Sequence, residues 1–198
     1  MFLRSLKSLL VGLSLLACSS AFAVPFVVNV GGVGSFGEVG DAGNTVFTLN
    51  VGAGSQITSV AYNINVTAYT PSWLSEIGLY FSDSTQSGGI YFTPGFEDPN
   101  SGTATYADSV DLVAQELDFT VGADGLLRLE FFEDFDDGSV SPDGIWNFGT
   151  ITFNVTGDNV PGDPGTDIPE PATGMLMGAG LALMGFTARR RRSRGKAA

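Results

Sequence analysis

Apolar and polar residues alternate with a period of two through most of the chain. Phe26-Val-Val-Asn-Val30 opens as an extended run, and a glycine-rich connection follows from Gly31 to Gly43. Phe47, Leu49 and Val51 then alternate with Thr48 and Asn50, the pattern of a strand with one buried face. After the Gly52-Ala-Gly-Ser55 turn a long strand is expected over 57–68. In it Val60, Tyr62, Ile64 and Val66 share one face, and Asn63, Asn65 and Thr67 the other. Pro71-Ser-Trp73 breaks that run. Ile77, Leu79 and Phe81 begin the next, which closes in the turn-forming Asp83-Ser-Thr-Gln-Ser-Gly-Gly89. Short strands are expected at Ile90–Phe92, Val110–Val113 and Leu117–Val121, with a loop from Pro94 to Gly102. Leu127, Leu129 and Phe131 alternate with Arg128 and Glu130; Ile151, Phe153 and Val155 alternate with Thr150, Thr152 and Asn154. No window of this body keeps a helical period. Short strands punctuated by Gly, Pro and Asp turns predict an all-β fold, a single antiparallel β-sandwich or jelly roll over 24–156.

The period fails at both ends. Arg4 and Lys7 precede an apolar run from Leu9 to Ala17, and Ala21-Phe-Ala23 supplies the small residues that signal peptidase needs, so residues 1–23 read as a signal peptide cleaved before Val24. A rival reading takes Leu15-Leu-Ala-Cys18, with Ser19 after it, as a lipobox in which Cys18 is lipidated. Both readings export the chain. At the other end, Gly157 to Asp167 is a linker rich in Gly, Pro and Asp. Pro169-Glu170-Pro171 follows, and it cannot be helical, because each proline fixes φ and lacks an N–H. Residues 172–188 carry no charge across seventeen positions. As a helix they would cover about 25 Å, the short end of a bilayer core. Arg189, Arg190, Arg191, Arg192, Arg194 and Lys196 close the sequence, and such a cluster after an apolar span favours the cytoplasmic side. A plain tail anchor explains the span and the charges but leaves the prolines without a role, and a buried core helix needs no arginine cluster.

Residues 168–196 resemble the PEP-CTERM sorting signal of exported bacterial surface proteins: a Pro-Glu-Pro motif, a transmembrane helix and an Arg-rich end. Ile168-Pro169-Glu170-Pro171-Ala172-Thr173 carries the resemblance. It implies recognition by an exosortase, a membrane-embedded transpeptidase-like enzyme, with cleavage at or near Pro-Glu-Pro. It also implies an address at the cell surface or in an exopolysaccharide matrix. An address is not an activity.

Charge separates along the same boundaries. Of nine Lys and Arg, only Arg128 lies between Lys7 and Arg189, whereas all 21 Asp and Glu lie from Glu38 to Glu170. Residues 24–170 therefore carry 1 − 21 = −20. That field argues against nucleic-acid partners and against anionic lipid, both of which need basic patches. The chain holds no histidine and one cysteine, Cys18, which excludes a disulfide framework, His/Cys-ligated zinc and the usual Ser-His-Asp or Cys-His catalysis.

Four constellations remain as candidate chemistry. Glu133, Asp134, Asp136 and Asp137, with Asp143 nearby, place closely spaced carboxylates on one turn; Asp134, Asp136, Asp137 and Asp143 are the expected calcium ligands, although the glycine at 138 is too early for an EF-hand. Paired carboxylates are also the equipment of glycoside hydrolysis, but nothing marks out one pair, and no enzyme is expected. Among Tyr62, Tyr69, Trp73, Tyr80, Tyr91 and Trp146, most are expected in the core. Tyr80 and Tyr91 are the candidates for exposed sugar-stacking platforms, since Tyr80 points opposite Leu79 and Phe81. Asn65-Val-Thr67 and Asn154-Val-Thr156 match the glycan acceptor pattern, but inside expected strands. The arrangement of Trp73, Ile77 to Asp83 and Gly144-Ile-Trp146 resembles the jelly-roll P-domain that accompanies secreted proteases, departing where Asn147-Phe-Gly149 separates the tryptophan from the last expected strand. The expectation is an exported, non-catalytic structural or interaction protein, with a polysaccharide-binding module as the alternative.

Overall fold

The computed structural model describes residues 23–138 and 140–162. Ala21, Cys18, Pro169-Glu170-Pro171, the 172–188 span and the basic cluster lie outside the described residues. Alternating side chains with Gly, Pro and Asp between them fold as ten strands. In chain order these are β1 (Val24–Asn29), β2 (Val33–Ser35), β3 (Thr45–Asn50), β4 (Gln56–Ala68) and β5 (Ile77–Asp83), then β6 (Gly89–Phe92), β7 (Gly102–Asp111), β8 (Phe119–Thr120), β9 (Leu126–Glu133) and β10 (Gly144–Thr156). No helix is present among the described residues, and so none there is long and apolar enough to cross a membrane.

Every pairing is antiparallel. One sheet runs β1-β10-β4-β7, with β2 also on β10 and β8 also on β4; the other runs β3-β9-β5-β6. β1 and β2 follow each other along β10, as β7 and β8 do along β4, so each pair is one interrupted strand. First and last strands are thus neighbours, and the two sheets exchange strands in jelly-roll order.

The inward faces supply the core. Ile57, Val60, Ile64 and Val66 of β4 and Ile151, Phe153 and Val155 of β10 face Leu79 and Phe81 of β5 and Leu127, Leu129 and Phe131 of β9. Trp146 is fully buried among them, edge-on to Phe131 at 5.2 Å, and its indole N–H donates to Ser35 Oγ at 3.2 Å.

Three differences from the sequence expectation concern glycine and polar runs. β10 begins at Gly144, not at Thr150: it passes through Asn147-Phe-Gly149 by a bulge after Trp146, with Gly149 at φ 118°. Asn147 donates from Nδ2 to Asn65 Oδ1 and Thr67 Oγ1, both at 2.8 Å, so side-chain hydrogen bonds tie the bulge to β4. β7 occupies 102–111, where Thr103, Thr105 and Ser109 are too polar to signal a strand; Thr67 and Thr103 bond across the pair at 2.7 Å. The expected linker also starts late, because Val160 is buried and Asn159 Nδ2 donates to the Ala53 carbonyl at 3.2 Å.

The connections β2–β3, β4–β5, β6–β7 and β9–β10 gather at one end of the sandwich. Backbone bonds join them: Glu133 N–H to Gly37 O at 2.9 Å, Leu74 N–H to Asn100 O at 2.9 Å and Tyr69 N–H to Asp143 O at 2.8 Å. The N-terminal residue of β1 and the last described residues lie at the opposite end, since Val24 pairs with Val155 and Thr156 with Gln56.

Candidate functional site

The acids that come together at the β9–β10 turn differ from the expected set. In β9 the inward register Leu127, Leu129, Phe131 continues to residue 133, which is a glutamate. β10 is likewise preceded by Asp143, whose backbone is pinned between Ser35 O at 3.0 Å and Tyr69 N–H. The strand geometry thereby draws two carboxylates inside, and Glu133 and Asp143 are both fully buried. Glu76, opposite them at the start of β5, and Asp137, from the β9–β10 loop, are half-buried. One carboxylate oxygen from each of Glu76, Glu133 and Asp137 lies within 4.8 Å of the others.

Each of these three is oriented through a single oxygen. Trp73 N–H donates to Glu76 Oε2 at 2.7 Å, Phe135 N–H to Glu133 Oε2 at 3.1 Å, and Ser72 Oγ to Asp137 Oδ2 at 2.7 Å. Among the described residues, Glu133 Oε1 and both carboxylate oxygens of Asp143 are buried without a hydrogen-bond partner. Burial, reinforced by the charges of Asp143, Glu76 and Asp137, pushes Glu133 up to about 8. Asp143 is pushed up for the same reason, by burial and then by Asp136 and Asp137. Such a cluster of hard oxygens either holds protons or meets a cation.

Asp137 and Asp143 were legible from sequence. Asp134 and Asp136 are exposed and stand outside the buried cluster; Asp136 caps its own turn, accepting from Gly138 N–H at 2.7 Å. Glu133 stood in the same acidic stretch but outside the expected ligand set, although it is a charge in the apolar register of its strand; Glu76 was missed.

The aromatic expectation divides. Tyr91 is 63% exposed, whereas Tyr80 is only 7% exposed and so offers no free platform. Tyr80 does point away from Leu79 and Phe81, but Tyr91 lies on its ring at 4.7 Å, and Gly89 packs so close that a Cβ there would meet the tyrosine oxygen at 2.5 Å. Tyr91 also stands edge-on to Phe132 at 5.7 Å. Three further exposed aromatics, Trp73, Phe96 and Phe135, sit on three different connections at the acidic end. Trp73 was among the sequence candidates; Phe96 and Phe135 were not, since an aromatic in a loop has no period to betray it. Both glycan-acceptor asparagines have their amide nitrogens engaged, Asn65 with Thr105 Oγ1 and Asn154 with Ser59 Oγ, each at 2.8 Å.

Beyond the described body, residues 167–192 match the PEP-CTERM protein-sorting motif. The chain carries a PEP-CTERM sorting signal. Such a signal implies export, transient membrane anchoring through the C-terminal segment and processing by an exosortase. Among curated proteins no sequence matches the chain. Of solved structures, the chain is similar to the VP2 subviral particle of infectious bursal disease virus, at 12% identity and TM-score 0.38 over 74% of this chain. The match spans 35% of the VP2 chain. It is also similar to Desmodium yellow mottle tymovirus, at 10% identity and TM-score 0.27, over 69% of this chain and 81% of that one. Nora virus follows at 14% identity and TM-score 0.25, over 77% and 63%.

Proposed function

We propose that the PEP-CTERM signal delivers this β-sandwich to the cell surface or extracellular matrix, where it serves a non-catalytic structural or interaction role. The match of residues 167–192 to the sorting motif carries this reading. Charge supports it: all the cations but Arg128 sit in the two segments that would meet the membrane, and the acids in the part that would leave it. In this reading signal peptidase removes residues 1–23, exosortase acts at Pro169-Glu170-Pro171, and Arg189 to Lys196 hold the C-terminus in the cytoplasm until then. A body of net charge −20 repels its neighbours and resists nonspecific association.

The non-catalytic role rests on the chemistry available. The chain has no histidine, and its buried acids lie against one another rather than beside an activated nucleophile. A second reading, polysaccharide binding, is favoured by Tyr91 and by the exposed Trp73, Phe96 and Phe135. Sugar rings stack on such faces.

Fractionation of the native host tests the address. Replacing Pro169, Glu170 and Pro171 by alanine is expected to leave the chain in the membrane fraction with its arginines intact, while the unaltered chain leaves that fraction. Identical distribution of both would defeat the reading. Retardation in polysaccharide gels, lost in Tyr91→Ala or Trp73→Ala, would establish the second.

A further inference from the structure

The two buried acids at the end of the sandwich create a demand that the protein's own side chains do not meet. Glu133 and Asp143 are fully buried, and three of their four carboxylate oxygens have no hydrogen-bond partner among the described residues. Leaving a buried carboxylate unpaired costs several kcal/mol, so natural folds pair such groups, protonate them or give them a metal. A basic side chain cannot answer the demand here. Arg128 is the sole Lys or Arg between Lys7 and Arg189, and it is paired with Glu130 at 2.6 Å. Glu76 and Asp137 each bring a carboxylate oxygen within 4.8 Å of one on Glu133, where repulsion alone would drive them apart.

We propose that Glu76, Glu133, Asp137 and Asp143 form a calcium site joining the β4–β5 connection to the β9–β10 connection. The donor set is all oxygen, because no histidine or cysteine lies in the described body, and this selects hard cations over zinc or copper. Calcium suits it better than magnesium. Magnesium takes one or two carboxylates and keeps its water, whereas calcium accepts several carboxylates from irregular loops and six to eight oxygens in all. Hydrogen bonds from Trp73, Phe135 and Ser72 hold one oxygen of Glu76, Glu133 and Asp137 in place, the supporting shell that orients metal ligands. Both loops cross between the sheets, so the ion acts as a staple across the open end of the sandwich. Extracellular calcium modules bind at about 0.1–1 mM, a range suited to a chain that fills its site only after export. Binding itself is a property of the fold and does not depend on that address.

The full chain, held in mild detergent and stripped with EDTA, is the sample for the test. Calcium titration by calorimetry is expected to give saturable one-site binding, and millimolar calcium to raise Tm by about 5 °C or more. Glu133→Gln keeps the shape but cannot supply the negative charge that a calcium ligand offers. It is expected to melt at or above the calcium-free parent, which shows that it folds, and to lose calcium affinity by about tenfold or more. Asp134→Asn is expected to bind as the parent does. Absence of saturable binding overturns the proposal. So does an equal Tm shift with magnesium, a shift retained by Glu133→Gln, or one abolished by Asp134→Asn, since each of these describes surface screening or a different site.

Discussion

Single residues set the local limits of this fold. Gly78 lies beneath the ring of Phe132, where an added Cβ would stand 2.4 Å from the ring carbons. Gly78→Ala therefore forces Phe132 off the sheet and is expected to lower stability by about 1–3 kcal/mol in urea denaturation, with the m-value unchanged. Glu130, on the face of β9 opposite Leu129 and Phe131, shows how a buried charge is accommodated when partners exist. Burial raises its pKa, but the Gly40 N–H at 2.6 Å, the Asn44 amide at 3.0 Å and the Arg128 guanidinium outweigh that and hold it below the ordinary glutamate value. A depressed carboxylate stabilises the fold above its unfolded pKa, and this contribution disappears as pH falls through the folded one. Glu130→Gln is thus expected to be less stable than the parent at pH 7, with the difference shrinking below the usual glutamate range. A constant difference from pH 7 down to pH 3 would contradict this assignment. Glu133, three residues on, accepts among the described residues only from Phe135 N–H, and its pKa moves the other way.

At the scale of elements, alternation announced the strands that bury one clean face. β3, β4, β5 and β9 lie where Phe47, Val60, Leu79 and Leu129 placed them. Strands, or parts of strands, whose polar and glycine residues break the alternation were silent. β7 carries Thr103, Thr105 and Ser109, and the first half of β10 runs through Asn147 and Gly149, residues that in isolation favour turns. Tertiary pairing with β4 overrides that preference. Gly149 is the hinge of the matter: its φ of 118° suits glycine, and a Cβ would approach Asn63 O to 2.2 Å. Gly149→Ala is expected to destabilise by about 2 kcal/mol or more, and to loosen amide-exchange protection on β4 and β10 before the β3–β9 pair. The candidate site was legible in part for the same reason. Glu133, Asp137 and Asp143 belong to one acidic stretch of sequence, but Glu76 comes from the start of β5, distant in sequence, and only the pairing of β5 with β9 brings it beside Glu133 and Asp137.

At the scale of the whole molecule, the two ends of the sandwich differ in composition. The acidic connections, with Trp73, Phe96 and Phe135, occupy the end opposite the one at which the described chain leaves the sandwich after β10. Ligands would meet the body far from the point where it continues toward the sorting signal. Strand pairing and core placement follow from local pattern, and the address follows from residues 167–192; the surface loops carry no such period. The claim on which the rest turns is that the chain is exported and trimmed at both ends. The intact mass of the protein recovered from its native host tests this directly. The expected mass begins at Val24 and ends at or near Pro169-Glu170-Pro171, without the apolar span and the arginines. Recovery of the complete 198-residue chain from the cytosol would contradict it.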